Sequence, residues 1–246
     1  MKRLLILLPE RDFDPTESAV PWKYVQAAGY EVLFATPNGK PAQADLIMLT
    51  GETLGPLKWT LRADANGRRA YDEMSRSVAF QNPICYDELD AAKCDAILLP
   101  GGHAKGMRPY LESDKLQRFV RDFAATNKPT AAACHGVVLA ARSGVLKGHK
   151  VTALPEWMEM KAWKVTRLWK GDYYRTYLDR TVESEVRAAL TDPQTDFDPG
   201  PRNTHRDTPA MPETGFIVRD GNLLTARWPG DAHSLGSELR AILDQR

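Results

Sequence analysis

Cysteine is scarce in this chain of 246 residues: Cys85, Cys94 and Cys134 are the full set, an odd number with no metal-like spacing. Such a set excludes a disulfide framework and points to a reducing compartment, so a cytoplasmic location is expected. An excess of one charge is missing too. With 33 Lys and Arg against 32 Asp and Glu the formal net charge is +1, and the signs are interspersed. That balance argues against a nucleic-acid partner. No stretch approaches the ~20 apolar residues of a membrane span, so no membrane partner is expected. The apolar run at residues 4–8 is shorter than a signal-peptide core and no small-residue cleavage site follows, which makes it a first buried strand. Internal repeats and low-complexity segments are also absent. The five histidines, at 103, 135, 149, 205 and 233, show no paired spacing on one helix, and no metal or other cofactor is expected.

What is present is an alternation of apolar runs with amphipathic stretches. Residues 4–8 form a strand, residues 14–28 a helix opened by Asp14-Pro15-Thr16-Glu17, and residues 31–36 a second strand closed by Pro37-Asn38-Gly39, which together make a βαβ unit. Residues 95–100 are a central strand. Residues 113–126 form a helix with Ser113 as its cap and Leu116, Phe119, Val120 and Phe123 as its buried stripe. Short strands are expected at 45–50 and 149–154, helices from 155 and over 182–190, and two strands around a Gly-containing turn within 216–227. A final helix runs to about residue 244 with Asp231 as its cap. Residues 51–93 are an insertion and residues 191–213 a long Pro/Asp-rich connection. The pattern predicts a single α/β domain over 1–246 with a mostly parallel sheet.

The stretch 129–144 organises the rest. Thr130-Ala131-Ala132-Ala133 is a short buried strand, Cys134-His135-Gly136 a tight turn, and the residues after it a helix. That order sets Cys134 at a strand's carboxyl end beside the N–H groups of a helix start, which is the geometry of a nucleophile elbow. A lone cysteine is otherwise a small buried hydrophobe. Here the small residues before it, Gly136 after it and the helix start, which stabilises a thiolate, point to a reactive thiol of lowered pKa.

Other residues gather at the same sheet edge. Gly101-Gly102-His103 directly follows a buried strand, so the N–H groups of Gly102 and His135 are the natural pair of oxyanion donors. Glu17 sits in the first turn of the first helix, either as a solvated acid favoured by the helix dipole or as a site residue. The His135 side chain is expected to leave the backbone in a different direction from the thiol, so His103, His205 and His233 stand as alternative bases. Glu159 is either an orienting acid or a surface one. Arg227, Asp231 and His233, around the Trp228-Pro229-Gly230 turn, are placed with His103 and His205 in the pocket.

The Gly101-Gly102-His103 loop, the Ala131-Ala132-Ala133-Cys134-His135-Gly136 turn and the early Glu17 together resemble the ThiJ/PfpI superfamily, the branch related to class I glutamine amidotransferases. The resemblance spans essentially the whole chain and is greatest to the larger chaperone/glyoxalase III type. It implies a flavodoxin-like three-layer sandwich with Cys134 as nucleophile, His135 as partner base and Glu17 as a buried, protonated acid hydrogen-bonded to the thiolate. Where the glyoxalase III type completes its triad with an aspartate, counting along this chain reaches Glu159, with Glu156 nearby. The two-His-plus-Glu metal site of that type cannot be placed here. His233 falls where amidotransferases carry their catalytic histidine.

The expected function is that of a cofactor-independent cysteine enzyme, a lyase or hydrolase, acting on a small aldehyde or acyl compound. Glyoxalase III-like conversion of methylglyoxal to lactate is the leading form. Amidase, isonitrile-hydrating or peptidase chemistry would use the same thiolate, and a redox-sensing or chaperone-like stress protein without turnover is the non-enzymatic alternative. A homodimer is expected.

Overall fold

The computed structural model describes residues 1–245. Its strands are β1 (Arg3–Leu7), β2 (Arg11–Phe13), β3 (Glu31–Thr36), β4 (Gln43–Ala44), β5 (Ile84–Cys85), β6 (Ala96–Leu99), β7 (Thr130–Ala133), β8 (Ile217–Asp220) and β9 (Leu223–Ala226). The first helices are α1 (Pro15–Ala27), α2 (Leu46–Thr50), α3 (Lys58–Leu61), α4 (Ala65–Ser75) and α5 (Val78–Gln81). They are followed by α6 (Arg108–Leu111), α7 (Asp114–Ala124), α8 (Gly136–Arg142), α9 (Glu156–Lys170), α10 (Val182–Ala188) and α11 (Ala232–Asp244).

Seven strands form one sheet in the order β5-β3-β1-β6-β7-β9-β8, parallel throughout except for the β8–β9 hairpin. Strands β2 and β4 make a separate parallel pair. Every residue of β6 and β7 is buried, as a strand covered on both faces requires. Helix α1 packs on both α4 and α11, and α8 lies on β6 and β7 with α6, α7 and α10 around it. The result is an α/β sandwich with a mixed, mostly parallel sheet. No helix among the described residues is long and apolar enough to cross a membrane.

Local chemistry explains most boundaries. Asp14 accepts hydrogen bonds from the N–H groups of Thr16 and Glu17, and Pro15 supplies a first position that needs no donor, so α1 starts abruptly at the carboxyl edge of the sheet. In α7 the stripe Leu116, Phe119, Val120 and Phe123 is buried and Ser113 caps Leu116 at 3.3 Å, both as the spacing predicts.

Three expectations are corrected. Residues 46–50 are helical, because Asp45 caps the N–H groups of Ile47 and Met48; a short apolar run does not by itself separate strand from helix. Residues 149–154 form no strand. Strand β9 already has β7 and β8 on its two sides, so Val151 makes only a bridge to Phe197, and the Thr152 N–H donates to the Thr225 hydroxyl. Asp231 does not cap α11, since both its oxygens are held by Arg227. The cap comes from across the chain, where Asp207 Oδ2 accepts from the Ser234 N–H at 2.7 Å.

That cap has a measurable consequence. Burial raises the Asp207 pKa to about 7. A carboxylate whose folded-state pKa exceeds its unfolded value near ~3.9 holds a proton only in the native state across that window, so its stabilising contribution is lost as pH rises through about 7. The unfolding temperature is expected to fall between about pH 4 and pH 7 and to level off above that, and Asp207→Asn to show a shallower fall over the same range. Identical slopes in calorimetry would contradict this assignment.

Candidate active site

Strand β7 ends at Ala133 and α8 begins at Gly136, leaving two residues to reverse the chain. Cys134 takes up the turn at φ 51°, in the left-handed region, a conformation that costs a non-glycine residue about 1–3 kcal/mol. It persists because its surroundings hold it. The Cys134 N–H donates to the Ala226 carbonyl at 3.0 Å, and Val137 N–H donates back to the Cys134 carbonyl. A Cβ on Gly101 would lie 2.7 Å from the His135 nitrogen and 2.8 Å from Glu17 Oε2, so only glycine lets the loop after β6 close against both.

Glu17 is fully buried rather than solvated. Its Oε2 accepts from the Gly101 N–H at 2.8 Å, and Oε1 has no hydrogen bond. Burial, then the adjacent Asp14, push its pKa well above the usual carboxylate range; interaction with the Gly101 N–H and the Cys134 thiol works the other way and does not offset them. Glu17 therefore keeps its proton beyond the range of an ordinary glutamate.

The thiol does not behave as the helix start alone suggests. Cys134 is 6% exposed. Burial first, then Glu17 and Asp14, raise its pKa well above the ordinary cysteine value, and the His135 backbone N–H pulls it down by less. Loss of solvent outweighs the helix-end field. His135 also departs from expectation: its Nδ1 lies 3.4 Å from Cys134 Sγ, so the neighbouring side chains do meet. Burial, with His103 and Arg175 nearby, lowers the His135 pKa to about 3, and the ring is neutral.

The remaining sequence candidates separate. Gly102, at φ 153°, stands between the Asp12 carbonyl and Phe13, where no larger residue fits. His103 stacks on Tyr174 at 4.4 Å and meets Tyr173 edge-on at 4.7 Å, with its Nε2 buried and unpartnered. Glu159 is buried, its Oε1 3.2 Å from Arg175 Nε and its Oε2 accepting from the Val182 N–H, and burial raises its pKa to about 7. No hydrogen bond joins Glu159 to His135 among the described residues. Glu156 is exposed. Arg227 and Asp231 are almost wholly buried and satisfy one another, with Nε to Oδ2 at 2.9 Å and Nη2 to Oδ1 at 3.0 Å. His205 is exposed. His233 lines a cavity of about 450 Å³ with Lys23, Tyr24 and Arg69, a wall that Cys134 does not share.

Several residues escaped sequence reading. Asp14 was legible as a cap but not as a buried acid, with its pKa raised by burial to about 6. Asp45 accepts from the Tyr173 hydroxyl at 2.7 Å, and a cavity of about 520 Å³ opens beside them, lined also by Arg11, Lys105 and Lys170. Arg206 lies over the Trp228 ring at 4.8 Å. None of these has a local spacing that announces it. Among the described residues no group of three His, Cys, Asp or Glu side chains is placed to hold a metal ion.

A buried cysteine held in a left-handed turn at the carboxyl edge of a mostly parallel sheet, with a glutamate and a histidine against it, defines a class of cysteine-centred α/β sandwiches. The ThiJ/PfpI family-like description matches residues 8–201, and the chain belongs to that family. An uncharacterised protein of Schizosaccharomyces pombe is 24% identical over 98% of this chain and 84% of its own length. Protein/nucleic acid deglycase 2 of Escherichia coli is 44% identical over 28% of this chain and 38% of its own. The crystal structure of glyoxalase III from Candida albicans superposes with a TM-score of 0.66 at 18% identity, covering 98% of this chain and 96% of that one, a likeness of fold.

Proposed function

We propose that the chain is a cysteine-dependent enzyme acting on a small carbonyl compound, with the Cys134 turn as its nucleophile elbow and glyoxalase III-like conversion of a 2-oxoaldehyde to a 2-hydroxy acid as its reaction. The observation that carries the reading is the strained Cys134 with His135 Nδ1 3.4 Å from its sulfur and buried Glu17 beside it. Local strain of this kind persists where the surroundings enforce it, and such places are commonly functional. The names of the E. coli and C. albicans relatives, a deglycase and a glyoxalase III, lie in the same chemistry.

Both the raised thiol and the lowered imidazole favour the neutral pair at rest. The thiol proton therefore moves to His135 Nδ1 as sulfur attacks the aldehyde carbon: the S–C bond forms, and the carbonyl electron pair shifts to oxygen, facing the N–H groups of His135 and Gly102. The oxygen then takes a proton, giving a hemithioacetal. The C1 proton moves to the neighbouring carbonyl carbon and the C1 hydroxyl proton to its oxygen, giving a thioester of the 2-hydroxy acid, and water hydrolyses the thioester to release the acid and the thiol. For methylglyoxal the product is lactate. His233 faces another cavity, which weighs against the amidotransferase-like alternative, and the buried, raised thiol weighs against a peroxide sensor.

Incubation with methylglyoxal and no added cofactor is expected to yield lactate by NMR; a persistent adduct without lactate would favour the non-catalytic reading. Glu17→Gln tests the acid. After burial, the Glu17 charge is the next largest influence raising the Cys134 thiol, so removing that charge with Gln is expected to shift the pH profile of alkylation to lower pH. An unchanged profile would remove Glu17 from its role.

A further inference from the structure

Buried arginines in this fold are matched with carboxylates. Arg227 pairs with Asp231 at 2.9 Å, Arg175 with Glu159 at 3.2 Å and Arg142 with Glu185 at 2.6 Å. Arg206 is an exception. Its Nη1 is buried without an acceptor, and it makes no salt bridge among the described residues. An unsatisfied guanidinium N–H out of water is costly, and the usual remedy is a bidentate acceptor.

Its location gives that vacancy a meaning. The guanidinium lies over the ring of Trp228, whose own Nε1–H is likewise buried and unpartnered. Trp228 stands two residues beyond β9, and the last residue of β9, Ala226, receives the Cys134 N–H. On the other side, the Arg206 charge acts on Asp14, whose carboxylate accepts the Glu17 N–H at 3.1 Å. Arg206 thus sits over the residue that follows the end of β9 and acts on the cap of α1. Arg206 Nη1 and Trp228 Nε1 are buried there without a hydrogen-bond partner. A stacked planar fork of this kind suits a carboxylate better than a neutral oxygen.

We propose that Arg206, held on the face of Trp228, anchors a carboxylate of the substrate, so that the site takes small electrophilic carbonyl compounds bearing an acid group in preference to neutral ones. The inference rests on Cys134 being the nucleophile and narrows its substrate class.

Paired alkylating reagents separate the two ideas without requiring the natural substrate. Iodoacetate and iodoacetamide, and 3-bromopropionate and its amide, each lose halide as the S–C bond forms, and differ in the charge that Arg206 would hold. The parent protein is expected to be alkylated at Cys134 about ten-fold faster by the acid of at least one pair than by its amide. Arg206→Gln should bring that ratio to about one or below while changing the amide rate by less than about two-fold; Arg206→Lys, which keeps the charge but loses the planar fork, should fall between. Faster labelling by the amide in both pairs, or an Arg206→Gln variant slowed equally toward acid and amide, overturns the anchor and leaves Cys134 standing. Failure of every reagent to label Cys134 in the parent overturns the nucleophile, and the anchor with it.

Discussion

Replacing Cys134 by alanine is expected to lower turnover at least about a thousand-fold while leaving a folded protein, because the proposed reaction passes through a bond to its sulfur. The structural cost is small. Alanine inherits the same left-handed backbone, held by the Ala226 carbonyl and the packing of Gly101 and Gly136, and loses one buried atom. A deletion of that size costs about 1 kcal/mol. Lactate formation and thermal melting on the same preparation check both halves, and unchanged turnover with a native melt would end the proposal. Losing activity and fold together would instead assign Cys134 to the core.

The largest effect on stability is expected at Gly136. A Cβ there would sit 2.0 Å from the Leu99 carbonyl oxygen and 2.8 Å from its carbon, atoms of the β6 backbone that cannot swing aside. Its φ is ordinary, so the requirement for glycine is one of space alone. Gly136→Ala should cost about 3 kcal/mol or more. For a chain of this size that corresponds to a fall of roughly 6–12 °C in unfolding temperature. Gly144 is the control, since a Cβ there meets nothing within 4 Å but its φ is 77°. Gly144→Ala should cost about 1 kcal/mol through the backbone alone. Comparable losses at the two positions would contradict the close approach of α8 to β6.

Much of the framework was legible because it is written locally. Uninterrupted apolar runs marked β1, β6 and β7, the stripe from Leu116 to Phe123 marked α7, and small residues around Cys134 marked the turn. Glu17 was placed at the right sheet edge by the start of α1, and glycines 101 and 102 by their position after a buried strand. What escaped depends on depth and on distant partners. The thiol's upward pKa comes from loss of water and from three acids that reach it through folding, whereas the residues on either side of Cys134 suggest only the favourable helix start. Asp231 stands where a cap belongs, yet the ion pair with Arg227 claims it and Asp207 takes its place. Residues 149–154 have the composition of a strand, but β9 has no free edge to offer them. Arg206 sits in a Pro/Asp-rich connection, and only the tertiary fold brings it over Trp228.

The most direct test of the central claim is intact-protein and peptide mass spectrometry on samples quenched during turnover of methylglyoxal. A three-carbon adduct confined to Cys134, rising early and decaying as lactate accumulates, is the predicted result. Lactate formed with Cys134 unmodified at every time point, or formed equally well by Cys134→Ala, would contradict the account.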